Sequence, residues 1–392
     1  MRIVLVSSSS GSRGGGEHYF QLLANGLVRA GHDVVMMCAT HPRMDSFVEG
    51  LDAAVDVDRI QYPNTYDYRG RCLTAILQKS LQSSIRRRIG NHRPDVIHVL
   101  KQNLEDSLDL VLATESLASS CWTTIHVTRT ASELGQSMST VRDILSRHVL
   151  RQYRGGVIVT SHACRKQLQS FLGFRGPKPR VIHNGIEDNP QVSADKNGVH
   201  KLETDCGEDL CVRMVCLARL EPQKDPLFFL TQVMPLLDPR LHLTWIGDGY
   251  LRSQAEQAVA ELGLQDRVEL TGWCQNPRER LRDFDLFVLP SRYEGFPFSI
   301  LEAMAAGLPT IAHDVDGNSE AIVDGETGVL IRPSDAAHWI ATLNGPALDA
   351  SQRLGWGVSG CELYSREFTV DRMVEKTLAC YRSQVSCEAR VG

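Results

Sequence analysis

The chain has 392 residues, 42% of them hydrophobic and 23% charged, a composition of soluble globular proteins and a length that calls for two cores. No apolar run approaches the roughly 20 residues that span a bilayer, and no internal repeat or low-complexity tract stands out. The net charge of −5 hides an asymmetry, +6 over residues 1–190 and −11 over residues 191–392. Its eleven cysteines show no paired metal-site spacing, and Cys38, Cys121 and Cys216 sit in apolar runs, as buried thiols of a reducing compartment do.

The N-terminus enters a strand at Arg2–Val6 without the charged start and apolar stretch of a signal peptide, so a cytoplasmic protein is expected. A helix follows over Glu17–Ala30, with Phe20, Leu23, Leu27 and Ala30 on one face before Gly31. Further strands are predicted at Asp33–Cys38, Asp95–Leu100, Trp122–Val127, Gly156–Thr160 and Arg180–His183. From Asp188 to Asp209 the chain is polar and aperiodic, with Pro190, Gly198 and Gly207, as a linker is. The second half places strands at Val212–Ala218, Leu241–Ile246, Arg267–Thr271, Asp285–Leu289 and Thr310–Ala312. Its helices are predicted at Pro226–Leu237, Leu251–Leu262 and Phe298–Ala306, and a last one runs from Phe368 to Ser383. Two series of βα units predict an α/β protein with two doubly wound, Rossmann-like sheets. The expected division is an N-terminal domain at 1–187, a linker at 188–209 and a C-terminal domain at 210–367.

The richest segment is SRYEGFPFSILEAMAAGLPT, in which Glu294 and Glu302 are separated by seven residues. A buried strand leads into the loop Glu294-Gly295-Phe296-Pro297, and a helix starts at Phe298. The first backbone N–H groups of that helix, on Phe298, Ser299 and Ile300, suit an anion. A carboxylate on either side suits vicinal hydroxyls, so the pattern points to a sugar, a nucleotide, or both. Glu302 stands among Ile300, Leu301, Ala303, Met304, Ala305 and Ala306, where a carboxylate is costly to bury without a partner.

Arg219 and Lys224 follow another strand in LARLEPQKDP and can hold a diphosphate. Gly247 and Asp248 close the next one. Gly14, Gly15 and Gly16 after the first strand allow close approach to a phosphate. Their spacing is not the dinucleotide fingerprint, and Cys38-Ala39-Thr40 offers no acid for a ribose, which disfavours a nicotinamide or flavin enzyme. The pairs Asp56/Asp58, Asp283/Asp285 and Asp314/Asp316 lack the setting of a metal site, and no metal is expected. Two segments, Leu73–Ile89 with Lys79 and Arg86–Arg88, and Val141–Arg154 with Arg142, Arg147, Arg151 and Arg154, are basic and amphipathic. A solvated outer face is one meaning, and a phosphate-bearing acceptor or an anionic membrane face is the other.

Taken together, the paired glutamates, SRGGGE at Ser12–Glu17, His126, Ile182–Glu187, the Arg219/Lys224 spacing and Gly247-Asp248-Gly249 resemble the family-four retaining glycosyltransferases of the GT-B fold. The resemblance covers roughly residues 1 to 385 and is specific as a set. It implies two Rossmann-like domains facing across a cleft, with a C-terminal helix from residues 368–392 returning to the first. It also implies Gly15 and Gly16 of the first domain as donor-binding, His126 as a catalytic residue beside the donor sugar, Glu302 on the donor ribose, Glu294 at the donor sugar, and a nucleotide-diphosphate sugar as donor. The acceptor is then a glycan, a lipid-linked precursor or a small molecule, with no nucleic-acid partner. Val127 and Glu187 depart from positions where many members carry aspartate. A nucleotide-sugar epimerase and a silent sugar-nucleotide-binding protein of the same fold remain open alternatives.

Overall fold

The computed structural model describes residues 1–7, 14–61, 74–114, 117, 120–173, 178–187 and 211–388, with side chains to residue 383. Ser12, the loop Tyr62–Arg71, Leu73 and the segment read as a linker lie outside the described residues. The chain divides into two compact units, Met1–Gly185 with Val370–Gly392, and Ile186–Thr369.

Among the described residues, the first unit holds seven parallel strands: β1 (Arg2–Val6), β2 (Asp33–Ala39), β3 (Asp56–Ile60), β4 (Val96–Lys101), β5 (Ser120–Ile125), β6 (Gly156–Val159) and β7 (Arg180–Val181). Their order is β3-β2-β1-β4-β5-β6-β7, reversing between β1 and β4. β4 and β5 are buried at every residue, as parallel strands covered on both faces must be. β3 was not anticipated: its sequence DVDRI is short and charged, a protected sheet edge without an apolar face to read.

Helix α1 (Gly15–Arg29) covers this sheet with Tyr19, Phe20, Leu23 and Leu27, all fully buried, at roughly 1.5–3 kcal/mol per large side chain. Gly31, at φ 78°, ends the turn by donating to the carbonyl of Val28 at 2.8 Å. Helices α2 (Lys79–Asn91), α3 (Leu108–Thr114), α4 (Ser139–Gln152) and α5 (His162–Leu172) follow. The C-terminal helix Val370–Glu388 packs on α1, where a Cβ on Gly26 would lie 2.5 Å from Val374 Cγ2. Four arginines of the basic stripes are engaged within this unit. Arg86 donates to the Ala113 carbonyl at 3.1 Å, Arg88 forks onto Asp58, Arg142 pairs with Glu105, and Arg151 donates to the Leu172 carbonyl at 2.6 Å.

The second unit holds β8 (Val212–Leu217), β9 (Leu241–Ile246), β10 (Val268–Gly272), β11 (Leu286–Leu289), β12 (Thr310–His313) and β13 (Gly328–Ile331), in the order β10-β9-β8-β11-β12-β13. Strand pairing is parallel throughout, and the order reverses between β8 and β11. Helices α6 (Arg252–Glu261), α7 (Phe298–Ala305), α8 (Ala336–Leu343) and α9 (Ala350–Glu367) cover it. The helix expected over Pro226–Leu237 is broken instead. It starts as an α-turn at Pro226–Phe228, widens to a π-turn over Phe229–Val233 and tightens at Met234–Leu236. Pro235 is the cause, since it has no N–H and its ring crowds the carbonyl four residues earlier. No described helix is long and apolar enough to cross a membrane.

Candidate active site

In an open parallel sheet, ligands bind beyond the carboxyl ends of the strands where the order reverses. In the second unit those strands are β8 and β11, and the loops leaving them carry Arg219–Lys224 and Ser291–Pro297. The two loops are fastened together. Arg292 N donates to the Gln223 carbonyl at 2.8 Å, Gln223 Nε2 donates to the Tyr293 carbonyl at 3.1 Å, and the Arg292 guanidinium forks onto Asp225 at 2.7 and 2.8 Å. Asp225 takes a left-handed φ of 51° to reach it.

This fastening brings Lys224 Nζ onto Glu294 Oε1, with side chains only 14% and 6% exposed. Behind the pair is Cys216, whose thiol burial holds well above its ordinary pKa, with the Lys224 charge opposing and the Glu294 charge adding. The Glu294 loop is also held from β12. Its backbone N–H donates to Asp316 Oδ2 at 3.1 Å, and Gly317 lies so close that a Cβ there would be 2.1 Å from the Gly295 carbonyl oxygen. The Asp314/Asp316 pair, which lacks the setting of a metal site, thus supplies a loop contact through Asp316, and the Asp316-Gly317 turn shortly after a strand is the local signal for it.

Helix α7 starts from Pro297, which offers no side-chain acceptor to its first N–H groups. Phe298, Ser299 and Ile300 therefore stand at an N-terminus uncapped by its own N-cap residue, the favourable end of the helix dipole for a phosphate. Phe296 seats this loop against Phe368, ring centroids 5.2 Å apart. Glu302 is half-buried one turn on, and desolvation raises its carboxyl pKa while the charge of Arg278 opposes the shift. Arg219 is more open. Its guanidinium donates to Glu221 at 2.8 Å and is not joined to Glu294. Gly247 and Gly249 let the next turn press on this strand end, since a Cβ on either would fall 2.1 Å from the Ala218 oxygen or 2.3 Å from the Leu220 oxygen. Asp248 is occupied locally, accepting from Gly249 N at 2.8 Å.

In the first unit, β1 and β4 end at the switch point with β5 beside them. Gly14 is the N-cap of α1 without a side-chain cap, Gly15 is exposed, and Gly16 is buried where a Cβ would meet the Gln102 side chain at 2.3 Å. Gln102, just past β4, donates to Glu17 at 2.8 Å. Glu17 is itself buried, and Gln102 is a neighbour that the sequence did not reveal. His126 follows β5 by one residue, 7% exposed, with its ring edge-on to Tyr19 at 4.8 Å. Its Nε2 has no hydrogen-bond partner among the described residues. Such a nitrogen, buried at a strand end, is a natural contact for a hydroxyl.

Burial pushes the His126 pKa down to about 3, and that of fully buried His98 to about 3 as well. Both imidazoles are therefore neutral at ordinary pH. Because the folded values lie below 6.5, stability is complete above that pH and is lost as pH falls toward 3, where the unfolded chain takes protons that the folded one refuses. The pair should lower stability by roughly 3 kcal/mol between pH 6.5 and 5. Urea unfolding at the two values measures this, and a loss under about 1 kcal/mol would mean that the rings are solvated.

The glycosyltransferase family profiles account for both units. One described as "Glycosyltransferase Family 4" matches residues 13–189, and one described as "Glycosyl transferases group 1" matches residues 212–345. The chain belongs to the family-four glycosyltransferases. A lipopolysaccharide core biosynthesis mannosyltransferase of Rhizobium meliloti is 30% identical over 52% of this chain, which spans 60% of that relative's length. Among solved structures, sucrose-phosphate synthase from Thermosynechococcus elongatus superposes with a TM-score of 0.79 at 19% identity, covering 99% of this chain and 100% of that one. The Anabaena protein HepE, in complex with UDP and glucose, gives 0.77 at 18% identity, covering 97% and 99%. These likenesses give this glycosyltransferase the GT-B fold, two parallel-sheet α/β domains.

Proposed function

We propose that this glycosyltransferase moves a sugar, with retention of anomeric configuration, from a nucleotide-diphosphate sugar to a glycan, lipid-linked or small-molecule acceptor. The observation that carries this reading is the Lys224–Glu294 pair at the β8/β11 switch point, beside the N-terminus of α7. A diphosphate is the ligand that Arg219, Lys224 and the N–H groups of Phe298–Ile300 can neutralise together, and its charge grows as it leaves. Glu294, freed from Lys224, accepts from the donor sugar's hydroxyls, and Glu302 takes the ribose diol. HepE's complex with UDP and glucose supports a UDP-sugar as the donor class to try first. Same-face attack, with the leaving phosphate helping to remove the acceptor proton, fits a site whose conspicuous charges serve the diphosphate. The Arg–Lys pair does the work of a divalent ion, so EDTA leaves transfer intact. Contact with an anionic membrane rests on a reduced set of arginines, since Arg86, Arg88, Arg142 and Arg151 are engaged within their unit.

The test is calorimetric binding of a nucleotide-sugar panel to wild type and Glu302→Ala, followed by turnover of the donor that binds. Losing a charged acceptor should weaken the nucleotide by about 1.5–3 kcal/mol, roughly 10- to 100-fold. Unchanged affinity would remove Glu302 from the site. Isolation of an epimerised nucleotide sugar without transfer would replace the proposed reaction.

A further inference from the structure

A run of buried polar groups in the first unit begins on the C-terminal helix and ends at Tyr19. Tyr381 Oη lies 2.5 Å from His98 Nδ1, and His98 Nε2 lies 2.7 Å from Thr124 Oγ1. Thr124 Oγ1 is 3.3 Å from Tyr19 Oη. On the same helix Thr377 donates to the Met373 carbonyl at 2.7 Å. Tyr19, His98, Thr124, Thr377 and Tyr381 are all fully buried. Met373, Thr377 and Tyr381 are four residues apart on one face of the helix.

Neutral His98 has one donor and one acceptor nitrogen, so it donates to one of its two neighbours, Tyr381 and Thr124, and accepts from the other. A buried network linked in this way restrains its members.

Its catalytic end is Tyr19, whose ring stands at 73° to the His126 imidazole with centroids 4.8 Å apart. We propose that Tyr19, held through Thr124, His98 and Tyr381, is the positioning residue for His126, and that the C-terminal helix thereby contributes to catalytic geometry. This rests on the reading of His126 as a site residue. The Tyr19 ring limits how His126 can turn, and the hydrogen-bonded chain limits how Tyr19 can turn.

The experiment joins a spectroscopic readout to a kinetic one, both on the full chain. Selective ¹⁵N-histidine spectra are recorded for wild type and Tyr381→Phe, with the ring signals assigned through His98→Gln and His126→Gln. A chain that positions His126 shifts or broadens the signals of both imidazoles. A change confined to His98 overturns the proposal, because Tyr381 would then only support the core. Release of UDP from UDP-glucose is measured in parallel. Tyr381→Phe should lower kcat about tenfold with KM for UDP-glucose unchanged, and should have no further effect in a His126→Ala background. Equal losses in both backgrounds, or wild-type kcat in Tyr381→Phe, also overturn it. If His126→Ala itself keeps wild-type kcat, the reading of His126 fails and the catalytic claim falls with it, whatever the spectra show.

Discussion

Lys224→Met is expected to destabilise the Ile186–Thr369 unit by about 3–5 kcal/mol and to abolish transfer. The reason is the company Glu294 keeps. Its side chain is 6% exposed and its charge is answered by Lys224, so truncating the lysine leaves a carboxylate with a cost it cannot shed to water. For a unit of this size each kcal/mol moves the melting point by about 2–4 °C, so the transition should fall by roughly 6–20 °C. Removing the second charge as well, in Lys224→Met with Glu294→Leu, should restore most of that stability without restoring turnover. The two changes thus separate the pair's structural cost from its chemistry. Calorimetric scans of the three proteins measure this. A single variant that melts within 2 °C of wild type would show that water already solvates Glu294.

Gly317→Ala should keep the protein folded yet lower kcat/KM by about 100-fold. The glycine's φ is −75°, so conformational freedom is not what it provides. It provides room, because an added Cβ would sit 2.1 Å from the Gly295 oxygen, far inside any real contact. The methyl and that carbonyl must separate by about an ångström, and Gly295 directly follows Glu294. A displacement of that size at a reacting group is enough for the predicted loss. Gly355→Ala, where a Cβ meets nothing, is the matched control on an exposed stretch of helix. Equal activity in both variants would show that the Glu294 loop tolerates movement.

The sequence was legible where one pattern dominated. Strands such as Arg2–Val6 and Leu241–Ile246 fall where their apolar runs predicted, because a parallel strand buried on both faces must be apolar throughout. The edge strands Asp56–Ile60 and Gly328–Ile331 are not legible in the sequence: one carries charge and the other is a short, partly exposed run opened by a glycine. At the site, Lys224 and Glu294 were named separately, but their ion pair was not, since they lie 70 residues apart and meet only through β8 beside β11. Gln102 and the chain from Tyr381 to Tyr19 were invisible for the same reason. Each joins residues distant in sequence, and neither has a local spacing to betray it.

The thiol behind the Lys224–Glu294 pair gives this unit a chemical clock. Cys216 is fully buried and its ionisation is suppressed, so reagents that require a thiolate meet it only when the sheet's carboxyl end breathes open. Cys211, five residues earlier, is exposed, although partial burial and the Asp285 charge also raise its thiol pKa. The same strand region thus carries a buried sulfur and an exposed one, and the reaction rate of Cys216 against that of Cys211, each referred to its thiolate fraction, follows how often the site comes apart in the native state.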